Sequence, residues 1–379
     1  MSVSIDGFAW AGLACAALPF VMTVTNLRLY RPQPAPDEPL GDADAVDVCI
    51  PARNEADNIE ACVQGVLASR QVRARALVYD DQSTDRTPEI LARLASDARL
   101  LRVPTQPLPA GWNGKQWGCQ RMGEASDAPW LLFTDADVRF GPAAVAAAVA
   151  FARRGGHDLV STVPREICAT VGEALVVPLI HFMLLGYLPM GLMRRDGRPS
   201  LGAGCGQFLL VRREAWLRAG GHAAFRGSMH DGIKLPRAVR ASGGRTDLFD
   251  GTSQVACRMY RGFGQTWRGF TKNAYEGLGS IPTLVFFSVL HLVGHVAPAC
   301  LLVAWLAGLE MRGATVASAG GAVAVGMLTR ALLAARFRQP WIGVALHPLA
   351  MLLVTVIQWR SLWLAKTGRR AWRGRVAGA

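Results

Sequence analysis

The chain has 379 residues, 51% of them hydrophobic, and a formal charge of +13 carried almost wholly by arginine. That length allows one large domain or two ordinary ones. Basic residues are scattered, with no basic run interleaved with aromatics, which argues against a nucleic-acid partner. A basic chain with apolar ends instead suits an anionic membrane surface. The eight cysteines stand singly with no C-x-x-C pair, so neither a zinc site nor a redox motif is expected, and a reducing compartment fits the central part.

Residues 8–27 carry no charge and are long enough to cross about 30 Å of hydrocarbon as a helix. Arg28 and Arg31 follow it and no Lys or Arg precedes it. A signal peptide has the opposite polarity. The positive-inside preference then places the N-terminus outside and the chain from residue 28 in the cytoplasm. The expected organisation is a membrane helix in 1–30, a cytoplasmic domain over 31–280 and a C-terminal membrane region over 281–379.

The central domain alternates strands and helices. Short apolar runs at 46–51, 76–79, 100–103, 130–134 and 159–163 read as buried strands. Between them, 54–69, the stretch after 87 and 143–153 read as helices. This alternation predicts an α/β fold with a parallel sheet covered on both faces, and ligands beyond the carboxyl ends of the strands.

Polar motifs fall at those ends. Asp80 and Asp81 follow the second strand, within the run Tyr79 to Thr87. Adjacent acids there can bind a nucleobase edge and ribose, or form an Asx turn that caps the next helix through Ser83 or Asp85. Asp135-Ala136-Asp137 follows the strand at 130–134. Two carboxylates two residues apart suit one hard cation, Mg2+ or Mn2+, bridging a diphosphate. Alone they are two solvated acids in a loop; the shared placement of the two motifs favours a site.

Residues 50–55 (Ile-Pro-Ala-Arg-Asn-Glu), the D-D-x-S-x-D-x-T run and the D-A-D triplet together resemble glycosyltransferase family 2, of the GT-A fold, over residues 46 to about 275. The resemblance implies a Rossmann-like mixed sheet that binds a nucleotide-diphosphate sugar. Pro51, Arg53, Glu55, Asp80 and Asp81 then line the nucleotide, and Asp135 and Asp137 hold the metal. The stretch Leu108 to Trp117, and Cys257-Arg258-Met259-Tyr260-Arg261 with Trp267 and Lys272-Asn273, are similar to members that glycosylate carotenoid or hopanoid lipids. The family's catalytic base maps onto Asp231, in His230-Asp231-Gly232; His230 stands where an acid is usual and is a candidate to tune Asp231 or contact phosphate. Asp231 as a plain helix cap for 233–241 is the alternative, although Gly232 is a poor residue inside a helix.

The chemistry needs these types: a carboxylate to take the acceptor's proton, and a cation against the leaving diphosphate. Lysine occurs only at 115, 234, 272 and 366, so Lys115, read as part of a flexible loop, is the candidate cation, with Arg258 or Arg261 from a later loop. The Q-x-x-R-W motif of processive members is approximated only by Gln254 and Arg258, one residue too far apart, with Met259 in place of Trp. Single-sugar transfer is therefore expected over a polysaccharide synthase. A non-catalytic scaffold would not need Asp81, Asp135, Asp137 and Asp231 together, and a transporter would place ionisable groups inside the spans. Gly202 to Gly206 either approaches donor and acceptor or only permits a tight turn.

The expected partners are a nucleotide-diphosphate sugar, with UDP favoured over GDP, a membrane lipid acceptor and the bilayer; the oligomeric state is open. The apolar run 174–193 is expected to lie in the membrane interface, because a crossing there would put Asp137 and Asp231 on opposite sides; a buried core helix is the alternative. At the C-terminal end, 281–309 and 341–365 read as spans, and 313–335 as a weaker one, rich in Gly and interrupted by Arg330. Three crossings there would put the basic tail (Arg369, Arg370, Arg373, Arg375) outside, against the charge preference.

Overall fold

The structure is a computed structural model that describes residues 5–369, 371–372 and 375–376. Packing divides the chain into two compact units. One comprises 30–165, 191–259 and the tail; the other comprises the start of the chain to Leu29, 166–190 and 260–367. Residues 166–190 and 260–280, assigned from sequence to the cytoplasmic domain, thus group with the apolar helices.

The first unit is built on a seven-stranded mixed sheet. Its strands are β1 (Val46–Ala52), β2 (Ala74–Asp80), β3 (Leu100–Arg102), β4 (Trp130–Phe133), β6 (Leu159–Ser161), β8 (Leu209–Arg212) and β9 (Thr246–Leu248). β5 (Val138–Phe140) and β10 (Val255–Cys257) pair antiparallel beside it, and β7 (Arg165–Glu166) leads out of the unit. The order across the sheet is β3-β2-β1-β4-β8-β6-β9. β1 runs parallel to β2 and β4, whereas β8 runs antiparallel to both β4 and β6.

Side chains alternate between two cores, as a strand's period of two requires. Val46, Val48 and Ile50 join Trp130 and Leu132 on one face. Cys49, Leu77, Tyr79, Leu131 and Phe133 line the other. Helices Ile59–Leu67 and Ala144–Gly155 cover the first face, and Gly114–Ala125 and Asp231–Ala241 the second. Gly118 lets the Gly114–Ala125 helix sit close on the sheet, since a Cβ there would lie 2.9 Å from the Tyr79 ring.

At the far end of β1 the buried carboxylate of Asp47 takes two bonds from Arg75, at 2.7 and 2.8 Å, and one from Ser126 Oγ at 2.6 Å. Asp127 shares the same guanidinium. This polar cluster pins the starts of β1 and β2 to the turn before β4.

In the second unit four helices are long and apolar enough to cross a membrane: Ile5–Leu27, Ile281–Leu306, Gly313–Phe337 and His347–Lys366. The Gly-rich segment is a continuous 25-residue helix, so shortness does not exclude it as a span. Its Arg330 is fully buried in protein, donating to Pro178 O and Gln339 Oε1. Asn26 likewise donates to the carbonyls of Leu185 and Leu188. Where lipid offers no partners, polar groups must be satisfied inside the bundle.

The run 174–193 breaks at its prolines into Val171–Val176, Leu179–Tyr187 and Met190–Met193. Ala174, Leu175, Val176, Leu179, Phe182 and Leu185 are buried. Much of the face expected to meet lipid is therefore covered by protein, as a buried helix would be. Of the basic tail, Arg370 and Arg373 lie outside the described residues.

Replacing Asp47 by Ala strands the Arg75 and Ser126 donors and is expected to destabilise the first unit by about 2–3 kcal/mol. Denaturant unfolding of the purified chain measures this; an unchanged midpoint would show that the cluster contributes nothing.

Candidate active site

The loops that leave β1 and β2 are bonded to each other. Asn54 N donates to Ser83 Oγ and Thr84 N to Asn54 Oδ1, at 2.9 and 2.8 Å. Glu55 N reaches Thr87 Oγ1 and Ala56 N reaches Asp85 Oδ2. Asp85 also accepts the Thr87 amide at the start of the Thr87–Leu94 helix, but the N-cap position is Arg86, neither Ser83 nor Asp85. Asn54 and Gln82 adopt left-handed backbone, φ 54° and 53°, a conformation that such loops sustain only when the surroundings fix it. Arg53 bonds the Asp81 carbonyl and lies 3.6 Å from its carboxylate. Asp81 is buried, while Asp80 accepts the Ser83 amide. Pro51 lies in β1 opposite Tyr79, beyond Cys49, where the pairing with β4 ends. Arg53, Glu55, Asp80 and Asp81 thus gather at the carboxyl ends of β1 and β2.

Asp135 and Asp137 follow β4 and precede β5. The strand end is fixed by Thr134, whose hydroxyl donates to Gln207 O at 2.7 Å. Gln207 in turn donates to Cys257 Sγ at the end of β10. Arg258 follows directly and is exposed. Cys257 pairs with Val138, so Arg258 stands one step past that pair, on the side of Asp137. Arg261 belongs to the other unit, before helix Phe263–Leu278, with its amide bonded to Gln265 Oε1.

Lys115 is not in a flexible loop. It occupies the first turn of helix Gly114–Ala125, and its amide donates to the N-cap Asn113 at 2.9 Å. The cap residue is itself anchored: Asn113 N donates to Arg226 O and Asn113 Nδ2 contacts Met229 Sδ. That anchor lies two residues before Asp231, so one set of bonds positions both side chains.

Lys115 Nζ lies 2.7 Å from Asp135 Oδ1 and 2.8 Å from Asp231 Oδ2. The Lys115 and Asp231 side chains are only 13% and 5% exposed. Burial alone would lower the Lys115 pKa, but Asp135 and Asp231 outweigh it and hold it well above its usual value. Burial would raise Asp231; the Lys115 charge and bond reverse that, and the carboxyl is held below its usual value. Both groups are therefore charged at neutral pH.

Asp231 begins helix Asp231–Ala241 rather than preceding it, with His230 at the N-cap position and its amide on Ser228 Oγ. Glycine is required around it. A Cβ on Gly206 would lie 2.3 Å from Asp231 Oδ1, and one on Gly232 would lie 2.8 Å from Gly204 O. The Gly202 to Gly206 stretch is thus a close approach to the candidate base, beyond a tight turn.

His222 belongs to no motif recognised in the sequence. It is fully buried, stacks edge-on against Phe133 at 4.3 Å and accepts the Trp216 indole N–H at Nδ1, 3.1 Å away. Indole only donates, so the neutral ring carries its proton on Nε2. Burial pushes its pKa down to about 3. Only the folded contact with Trp216 could have revealed it.

Among the described residues no three His, Cys, Asp or Glu side chains converge as an all-protein metal cluster. A site completed by diphosphate oxygens and water needs fewer. Asp135 already holds one cationic group, the Lys115 ammonium. The carboxylate pair therefore fits a hard divalent cation.

A mixed sheet with helices on both faces, a nucleotide-type loop pair beyond β1 and β2 and a D-x-D beyond β4 define a GT-A glycosyltransferase fold. Residues 47–217 match the profile of glycosyl transferase family 2. Among similar proteins are the 4,4'-diaponeurosporenoate glycosyltransferases of Staphylococcus haemolyticus and Staphylococcus aureus. The first is 25% identical over 254 residues, 66% of each chain. The second is 28% identical over 260 residues, 67% of each. The chain thus spans about two thirds of the length of these relatives. The solved mannosyltransferase of Pyrobaculum calidifontis, bound to GDP-Man and Mn2+, matches 94% of this chain and 99% of its own, with a TM-score of 0.59 at 18% identity. That likeness establishes the shared fold.

His222 gives a pH signature. Its folded pKa lies below its ordinary 6.5, so the unfolded chain binds the extra proton. The stability that neutral His222 contributes is present above pH 6.5 and falls by about 1.4 kcal/mol per pH unit toward the folded value. Unfolding measured from pH 7 to 5 is expected to show a shallower loss in His222→Leu than in the wild type; equal slopes would refute the assignment.

Proposed function

We propose that the chain transfers a single hexose, with inversion, from a nucleotide-diphosphate sugar to a membrane lipid. Asp231 acts as general base, and Asp135 and Asp137 hold Mg2+ or Mn2+ with the diphosphate. The observation that carries the reading is the convergence of Lys115, Asp135 and Asp231 within 2.8 Å contacts. Residues from three distant stretches meet there, next to the loops of Arg53 and Asp81.

The acceptor is an isoprenoid-type lipid, a carotenoid acid before a hopanoid or other glycolipid. Support comes from the activity of the staphylococcal relatives and from the four apolar helices among the described residues. The donor is read as a UDP-sugar before a GDP-sugar on the family resemblance. The catalytic domain faces the cytoplasm of the cell membrane, on the strength of Arg28 and Arg31 directly after the first helix.

The atoms balance simply. The acceptor oxygen attacks the anomeric carbon from the face opposite the diphosphate. Its proton passes to an Asp231 oxygen as the new C–O bond forms. The bond from the anomeric carbon to the phosphate oxygen breaks, and the nucleoside diphosphate leaves with the electron pair. Lys115 and Arg258 are available to bind its phosphates. A divalent cation on Asp135 and Asp137 supplies further charge neutralisation when bound. Arg53, with Asp81, orients the nucleoside; Glu55 and Asp80 fix the two loops; His230, beside the base, adds to its field. Arg261 is a further phosphate candidate on the resemblance alone.

The poor Q-x-x-R-W match favours one transfer over processive synthesis. A scaffold that only keeps the fold would have no use for a charged carboxylate buried against a lysine.

Lipid extracts from cells with and without the chain are expected to differ by a lipid heavier by one hexose, read by mass spectrometry. Asp231→Asn should lower its formation by about 10²–10⁴-fold while nucleotide binding persists. A fully active Asp231→Asn variant, or a labelled product of polymer length, would contradict the proposal.

A further inference from the structure

A lysine kept only for binding donor phosphates would be expected to stand open to the cleft. Lys115 is instead clasped between the two carboxylates that the proposed reaction needs for different purposes. Its Nζ sits 2.7 Å from Asp135, the metal carboxylate, and 2.8 Å from Asp231, the base. Its backbone is pinned through the Asn113 cap to Arg226 and Met229. The freedom left is in its four-carbon stem, which moves by rotamer.

While the clasp is closed, Asp231 Oδ2 is engaged by an ammonium and is a poor proton acceptor. Asp135 cannot ligate a cation through Oδ1 without shedding the same ammonium. A diphosphate offers that ammonium a stronger, doubly anionic partner, because charge-assisted bonds to phosphate are the stronger class.

We propose that Lys115 is a donor-sensed latch: at rest it neutralises the base and the metal carboxylate together, and it transfers to the donor's diphosphate, which releases Asp231 only when a sugar is in place. The inference rests on the donor and metal reading given above. Its distinctive consequence is an opposition. Lys115 competes with a bare cation for Asp135, yet assists a cation that arrives with a diphosphate. Removing its charge must move the two affinities in opposite directions, as expected of a coupling between sites. A lysine that only contacts phosphate would weaken the second affinity and leave the first unchanged.

The test is Mn2+ titration of the full chain in detergent, followed by loss of the free-ion electron paramagnetic resonance signal, without nucleotide and with UDP or GDP. Lys115→Met is expected to bind bare Mn2+ roughly fivefold or more tightly than wild type, and Mn2+ with nucleotide roughly fivefold or more weakly. Mn2+ should also raise the melting temperature of the variant more than that of the wild type, since the ion replaces the lost ammonium. If Lys115→Met does not fold, the comparison moves to Lys115→Met/Asp231→Asn against Asp231→Asn alone, in which one stranded carboxylate is gone; bare Mn2+ should again bind more tightly without Lys115. Bare-ion affinity that is equal or weaker without the lysine, beside intact nucleotide binding, overturns the latch alone. Wild type that binds Mn2+ but neither nucleotide contradicts the donor reading and the latch with it.

Discussion

One lysine held between the buried carboxylate of Asp231 and the partly exposed carboxylate of Asp135 is the constraint around which the first unit is arranged. Placing Lys115 and Asp231 out of water costs several kcal/mol per charge, so both must arrive in register with Asp135 or the cluster would destabilise the fold. The surroundings meet that demand locally. Asn113 caps the helix of Lys115 and ties it to the segment before Asp231. Thr134 and Gln207 lock the end of β4. Gly202, Gly206 and Gly232 lack the Cβ atoms that would hold the Asp231 helix away. Held against the Lys115 ammonium, buried Asp231 keeps its charge at neutral pH, as a base must.

Polar groups in the second unit obey a different solvent. Arg330, Asn26 and the His295–His347 pair all find partners inside their own unit. Gly294 lets neighbouring helices close on Cys15 and Ala16. An arginine in the middle of a hydrophobic helix looks, in sequence, like a reason to doubt the span. In three dimensions its guanidinium donates to the Pro178 carbonyl and to the Gln339 side-chain oxygen.

Much of the catalytic unit was legible in the chain because its determinants are local. Strands buried on both faces announce themselves as short apolar runs, and the acids at their ends follow from topology. Asp80, Asp81, Asp135 and Asp137 therefore fell where expected. The Gly114–Ala125 helix did not, because Gly-Lys-Gln-Trp-Gly lacks an apolar stripe and two glycines depress its helix propensity; packing on Tyr79 and Trp216 overrides that. Cap residue Asn113 was the one local clue. The pairing of Lys115 with Asp231, the burial of His222 and the protein cover over 174–193 come from contacts between residues far apart in sequence. No period or spacing encodes them.

The central claim is that this cluster transfers one sugar to a membrane lipid. The direct measurement is incubation of the purified full chain, in vesicles containing an isoprenoid carboxylic acid, with Mn2+ and labelled UDP-hexose or GDP-hexose. The account predicts one labelled hexose per lipid, one nucleoside diphosphate released for each transfer, and inverted configuration at the anomeric carbon. Label in a polymer, retained configuration, or no lipid-bound label with either donor would contradict it.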